Sequence, residues 1–169
     1  MRPPRAELRF APRRAFETVL QWAVIPTFDL VVEFAGPAGD RVAIARRRIA
    51  PYKATWALPG LRMYKPESID QTLSRIASDE LGVAIDLDTA RYIGQYVGRF
   101  RTEHERQDLS TGYAVRALDS EPRLNENHFS SFRLISAVEE IPTRTGAMYR
   151  HYLERYFHGD MGPPRRPTP

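Results

Sequence analysis

Between Ser68 and Gly82 the chain spells out a helix with both ends marked and one side chain on the wrong face. Ser68 can cap the first turn, Asp70 complements its positive end, and Gly82 stands where a left-handed residue would close the last turn. At 100° per residue Ile69, Leu73 and Ile76 share one stripe, and the next position on that stripe is Glu80. A carboxylate thus points where a core should be. Asp79 and Glu80 also occupy the last turn, where the macrodipole disfavours each acid by about 0.3 to 1 kcal/mol. A buried ionised carboxylate persists only when paired or metal-bound, so the fold must bring an arginine or a divalent cation to Glu80. A helix that stopped one turn earlier would instead leave Glu80 in solvent.

The flanking segments define the layers around this helix. Phe16, Val19, Leu20 and Ala23 recur at helical spacing and stop at Pro26. Residues 28–34 read as a buried strand, 36–40 as a turn and 42–45 as a return strand, a hairpin with a five-residue loop. Residues 51–65 are loop-like around Leu58-Pro59-Gly60. Strand patterns resume at 91–101, 113–118 and 132–135, and a last helix over 145–157 carries Tyr149, Tyr152, Leu153 and Tyr156 on one side. Helices before, between and after strands predict a mixed α/β layered domain over 13–160. The Pro- and Arg-rich residues 1–12 and 161–169 are expected to be a flexible arm and tail.

Composition narrows the chemistry. The 169 residues, 42% of them hydrophobic, suit one domain with its own core. No long apolar run suggests a membrane span, and Met1-Arg2-Pro3-Pro4-Arg5 lacks a signal-peptide core, so a cytoplasmic location is expected. With no cysteine, disulfides, thiolate metal sites and thiol nucleophiles are excluded, and any metal must sit on oxygen or imidazole. Of the 25 basic residues only Lys53 and Lys65 are lysine. Most of the arginines read as solvated surface, but guanidinium forks also suit phosphate and carboxylate groups. No basic helix with interleaved aromatics points to nucleic acid.

The run Leu58-Pro59-Gly60-Leu61-Arg62-Met63-Tyr64-Lys65-Pro66-Glu67, then Arg75 and Asp79-Glu80-Leu81-Gly82-Val83, resembles the Nudix box. The standard box places its first Glu six residues after the Gly; here Pro66 holds that place and Glu67 follows. Ile76 stands after Arg75 where the box has Glu. This one-residue insertion with a depleted acidic set resembles the GDP-mannose mannosyl hydrolase branch of the family. The likeness runs from Phe28 to Ile135: Asp29 and Glu33 on the first strand, Arg47 and Pro51 before Trp56, Tyr113 on a later strand, and Asn127-His128 before the last strand. Leu61 replaces the branch's second Gly, Asn127 its Gln, and Gly98 stands near a His of the branch.

The resemblance implies a Nudix fold, a mixed β-sheet sandwiched between helices, and hydrolysis of a nucleotide-diphosphate sugar of GDP-mannose type by water attack at the anomeric carbon. It implies magnesium, with manganese as the alternative, held by Glu80, the Gly60 carbonyl and Asn127. His128 is implied as general base, Arg47 and Arg62 as neutralisers of the leaving diphosphate, and Asp29 and Tyr113 as substrate contacts. For Tyr113 a core role is equally open. His104 is expected to be solvated or to close over the sugar, and Arg75 to tie Glu67 or Asp79 into the box. The N-terminal helix and the hairpin offer a homodimer surface. The alternatives are a Nudix pyrophosphohydrolase attacking phosphorus and a noncatalytic nucleotide- or RNA-binding Nudix domain.

Overall fold

The computed structural model describes residues 11–50, 52–100 and 105–164. Pro51, Arg101 and His104, and the outer parts of the arm and tail, lie outside the described residues. The architecture is set by β1 (Ile25–Phe34), which is buried without interruption from Phe28 onward. A strand buried on both faces needs a layer on each. Phe28, Leu30, Val32 and Phe34 pack with Leu73, Ile76, Ala77 and Leu81 of α2 (Ile69–Leu81). Val31, on the other face, packs with Ile44, Ile93, and Tyr152 and Leu153 of α3 (Ala147–Phe157). The result is the expected mixed sheet between helices.

Among the described residues the sheet has seven strands. Its main path runs β3 (Trp56–Ala57), β2 (Arg41–Arg47), β1, β6 (Arg106–Ala117), β5 (Ile85–Phe100), while β4 (Gly60–Arg62) pairs with β1 and β7 (Phe129–Ile135) with β2. β1 and β6 are parallel, from Ile25 opposite Asp108 to Glu33 opposite Arg116. The other pairs are antiparallel. The first helix, α1 (Arg13–Trp22), buries none of its residues, and no helix among the described residues is long and apolar enough to cross a membrane.

The helix carrying Glu80 forms with the expected ends. Ser68 Oγ accepts the Gln71 N–H at 3.2 Å, and Gln71 Oε1 accepts the Ser68 N–H at 2.9 Å, a reciprocal capping box. Gly82 is left-handed at φ 61° and donates to the Ser78 and Ala77 carbonyls. Two differences from the sequence expectation matter for the site. The loop-like stretch 51–65 contains β3 and β4, which are too short for any alternation to register. β5 and β6 also begin earlier than expected, at Ile85 and Arg106: Ile85, Leu87 and Ala90 pack on the α2 core across a register shift between Asp86 and Arg91, while the polar start of β6, Arg106-Gln107-Asp108, is held by pairing with Phe100, Arg99 and Gly98.

Candidate active site

Three separate segments converge on Glu80. Its side chain lies on the buried face of α2, and the residue is 2% exposed. The end of this helix is stitched to the turn before β7, since Asn125 N–H donates to the Glu80 carbonyl at 3.0 Å. Within that turn the His128 and Phe129 N–H groups both donate to the Asn125 carbonyl, at 3.0 and 2.9 Å, which winds the backbone tightly enough to turn His128 back. From the sheet, Arg48 N–H donates to the His128 carbonyl at 2.7 Å, and the β2–β7 register slips by one residue between Arg46 and Arg47. Such a bulge re-aims the side chains beside it. The outcome is a contact of 2.6 Å between His128 Nδ1 and Glu80 Oε1.

This contact gives the buried Glu80 carboxylate a partner, the His128 imidazole. Burial pushes the Glu80 carboxyl above its ordinary pKa; the charge and hydrogen bond of His128, and the charge of Arg47, pull in the other direction. With Glu80 ionised, Nδ1–H donates to it and Nε2 becomes the acceptor of a neutral ring. The imidazole is one-third exposed, so this second nitrogen belongs to a ring with access to solvent.

His128 lines a cleft of about 390 Å³ together with Asp29, Arg47, Gly60, Leu61 and Arg62. Arginines and aromatic rings alternate around it. Arg62 stacks on Phe16 of α1 at 4.1 Å and on Tyr64 at 5.1 Å, while Arg106 lies over Phe100 at 4.5 Å. Arg47 donates to the Ala50 carbonyl at 3.2 Å and is hydrogen-bonded to the Tyr149 phenol, whose pKa burial raises far above its ordinary value. Asp29 sits at the floor. Its Oδ2 accepts from Ser110 Oγ at 2.5 Å, and burial raises its pKa to about 7, against the pull of the Ser110 hydrogen bond and the Arg47 charge. Asp29 pairs across the strands with Gly60, where a Cβ would fall 2.0 Å from its Oδ1, so only glycine fits there.

The family model for the NUDIX domain matches residues 30–156. The chain belongs to the Nudix hydrolase family. Solved structures agree on the fold. A MutT NUDIX hydrolase from Burkholderia pseudomallei is 19% identical at a TM-score of 0.63, covering 77% of this chain and 97% of its own. The NUDIX domain of Shewanella oneidensis NrtR, solved complexed with ADP ribose, is 16% identical at 0.66 and covers 88% and 93%. An Ap4A hydrolase from C. elegans is 12% identical at 0.62, covering 79% and 95%.

Against that family pattern, the Nudix box of this chain is intact as a structural clamp and reduced in acids. Arg75 bridges both carboxylate oxygens of Glu67, at 2.5 and 2.9 Å, and donates to the Arg62 carbonyl at 2.8 Å. This is the tie expected of Arg75. Ile76, at the box position of a glutamate, is wholly buried in the core. Nudix hydrolases generally use divalent metals such as Mg2+. The donor set implied here is not gathered: Gly60 lines the cleft, but Glu80 is engaged with His128, and Asn127 is exposed and outside the lining. No group of three His, Asp or Glu side chains among the described residues could hold a metal. As placed, these residues do not form a ready cation site.

Two expected contacts lie elsewhere. Tyr113 falls on the α2 face of β6, stacked with Phe28 at 6.3 Å and edge-on to Tyr92 at 6.0 Å, so strand parity turns it away from the face bearing Asp29 and Ser110. Its core role prevails. Asn125, not Asn127, is the amide beside His128, at 3.5 Å from Nδ1. Tyr149, Arg106, Asp108 and Ser110 were not anticipated. A signal did exist for two of them: Asp108 and Ser110, followed by Gly112, alternate along one face of β6 at strand period. A second cavity of about 560 Å³ lies at the other end of α3, but its arginines are spent on acids, Arg91 on Glu33 and Arg116 on Asp40.

Proposed function

We propose that this Nudix protein hydrolyses a nucleoside-diphosphate sugar by attack of water at the anomeric carbon. The observation that carries the reading is the Glu80–His128 pair at a cleft that also holds Arg47 and Arg62. A carboxylate on Nδ1 fixes the imidazole tautomer and leaves Nε2 to take a proton from water, a role worth typically 10²- to 10⁴-fold in rate. The new bond forms between water oxygen and the anomeric carbon, and the bond from that carbon to the diphosphate oxygen breaks. Its electron pair goes to the diphosphate, whose charge Arg47 and Arg62 neutralise with forked donors. The aromatic rings Phe16, Tyr64, Phe100 and Tyr149 give a base or sugar apolar faces to lie against.

A second reading is supported by Ile76 and the depleted acids: a Nudix domain that binds a nucleotide diphosphate derivative without turning it over. One experiment separates these. A panel of nucleotide sugars, including GDP-mannose and ADP-ribose, is incubated in ¹⁸O-water with magnesium, with manganese and with chelator. Label in free sugar of inverted configuration, with unlabelled nucleoside diphosphate, is expected. Label in phosphate would mean attack at phosphorus, and binding without products on any member would leave the binding-domain reading.

A further inference from the structure

Behind Asp29 lies a buried polar chain that the proposed hydrolysis does not use. Ser110 and Tyr152 are both fully buried, and neither lines the cleft. The Tyr152 hydroxyl lies 2.9 Å from Ser110 Oγ and 3.0 Å from the Ser110 carbonyl, and Ser110 Oγ donates to Asp29 Oδ2 at 2.5 Å. The sequence clears space for this chain at two glycines. At Gly112, directly across from Asp29 in the β1–β6 register, a Cβ would fall 2.7 Å from the Tyr152 ring, and Gly60 gives way to Asp29 Oδ1 on the other side. One carboxyl oxygen is therefore held from behind, and the other lies against Gly60, which itself lines the cleft.

A core gains nothing in stability from a carboxyl held this way, since apolar groups of similar shape would serve as well or better. A fixed, largely desolvated acceptor at a cleft floor is suited to discrimination. A buried site built for a hydroxyl strongly rejects the analogue that lacks it, because the site's own polar atom is then left unpaired. We infer that Ser110 and Tyr152 are positioning residues that hold Asp29 to read a hydroxyl of the polyol group carried on the diphosphate. The inference rests on the nucleotide-sugar reading of the cleft.

The test is binding of the full chain to GDP-mannose against GDP, and to ADP-ribose against ADP, measured by stopped flow before products accumulate. The wild type should bind at least one sugar derivative more tightly than its parent diphosphate. Ser110→Ala and Tyr152→Phe should each reduce that preference, by about tenfold for Ser110→Ala, while affinity for the parent diphosphate stays within about threefold. Thermal unfolding checks that both variants fold; Tyr152→Phe keeps the ring over Gly112 and loses only the hydroxyl. A parallel loss for sugar derivative and parent would make the role structural and overturn the inference, as would a wild type with no preference in either pair. The hydrolysis reading is judged separately by the product panel, so the two can fail independently.

Discussion

The imidazole of His128 and the carboxylate of Glu80 share a 2.6 Å contact across segments 48 residues apart in sequence, and Glu80 has almost no access to water. Removing the imidazole leaves a desolvated acid without this partner. His128→Ala is therefore expected to cost about 1–3 kcal/mol of unfolding free energy, more at pH 8 than at pH 5, because protonation relieves the acid. Pairing it with Glu80→Gln should recover part of that cost, visible as a non-additive double-mutant cycle in urea unfolding. Additive costs would mean that the contact carries no coupling.

On the hydrolysis reading, the same pair predicts an ordered loss of rate. His128→Ala should lower kcat by about 10²- to 10⁴-fold, whereas Glu80→Gln, which weakens only the tautomer control, should lower it less. Steady-state kinetics on whichever nucleotide sugar is turned over gives both numbers. A rate in His128→Ala equal to wild type would remove His128 from the chemistry.

Asp29 gives a pH signature of stability independent of catalysis. Burial holds its proton to about pH 7 in the folded protein, against an ordinary value of 3.8. Between these values the folded state binds more protons than the unfolded chain, so stability falls as pH rises from about 4 to 7 and then levels off. Asp29→Asn cannot ionise and should lack this decline. The difference in unfolding free energy between the variant and the wild type should shift in the variant's favour by on the order of 2–4 kcal/mol from pH 4 to pH 8. Denaturant titrations at four pH values would show it; a constant difference would mean that Asp29 is ionised throughout.

What the sequence disclosed divides along physical lines. The helix with Glu80 was legible because caps and periodicity are local, and both survive in the structure as the Ser68–Gln71 box and the left-handed Gly82. That Glu80 would be buried was legible for the same reason. Its partner was not, because the Arg48–His128 and Asn125–Glu80 backbone bonds that carry His128 there are contacts between distant segments. Tyr113 stayed ambiguous until strand parity against β1 decided its face. Ser110 and Tyr152 meet only when α3 lies over β6, which no local pattern encodes.

The Glu67–Arg75 clamp should respond to pH in the opposite sense from Asp29. Burial by itself would raise the Glu67 pKa, but hydrogen bonds from Arg75, the Tyr64 N–H and the Thr72 hydroxyl, with the Arg75 charge, outweigh it and hold it below the usual value. The stabilisation is therefore present above the unfolded-state pKa and is lost as pH falls through the folded-state value. Arg75→Lys keeps the charge but cannot span both Glu67 oxygens and the Arg62 carbonyl together. It should cost about 1–3 kcal/mol at pH 7, and less near pH 3, by urea unfolding. An unchanged cost at both pH values would mean that packing, not the ion pair, carries the loss.

Gly60 tests whether the cleft floor is set by backbone clearance. A Cβ there would sit 2.0 Å from Asp29 Oδ1 and 3.0 Å from the Phe28 carbonyl, and Asp29 cannot swing away without leaving Ser110. Gly60→Ala should therefore either part β4 from β1 or break the Asp29–Ser110 bond, at an overpacking cost of about 1–3 kcal/mol. If the clash is with the carboxyl, shortening its owner must relieve it. The double variant Gly60→Ala with Asp29→Ala should be more stable than the sum of the two single costs allows, by about 1 kcal/mol or more in urea unfolding. Strict additivity would place the strain on the Phe28 backbone and leave Asp29 free of Gly60.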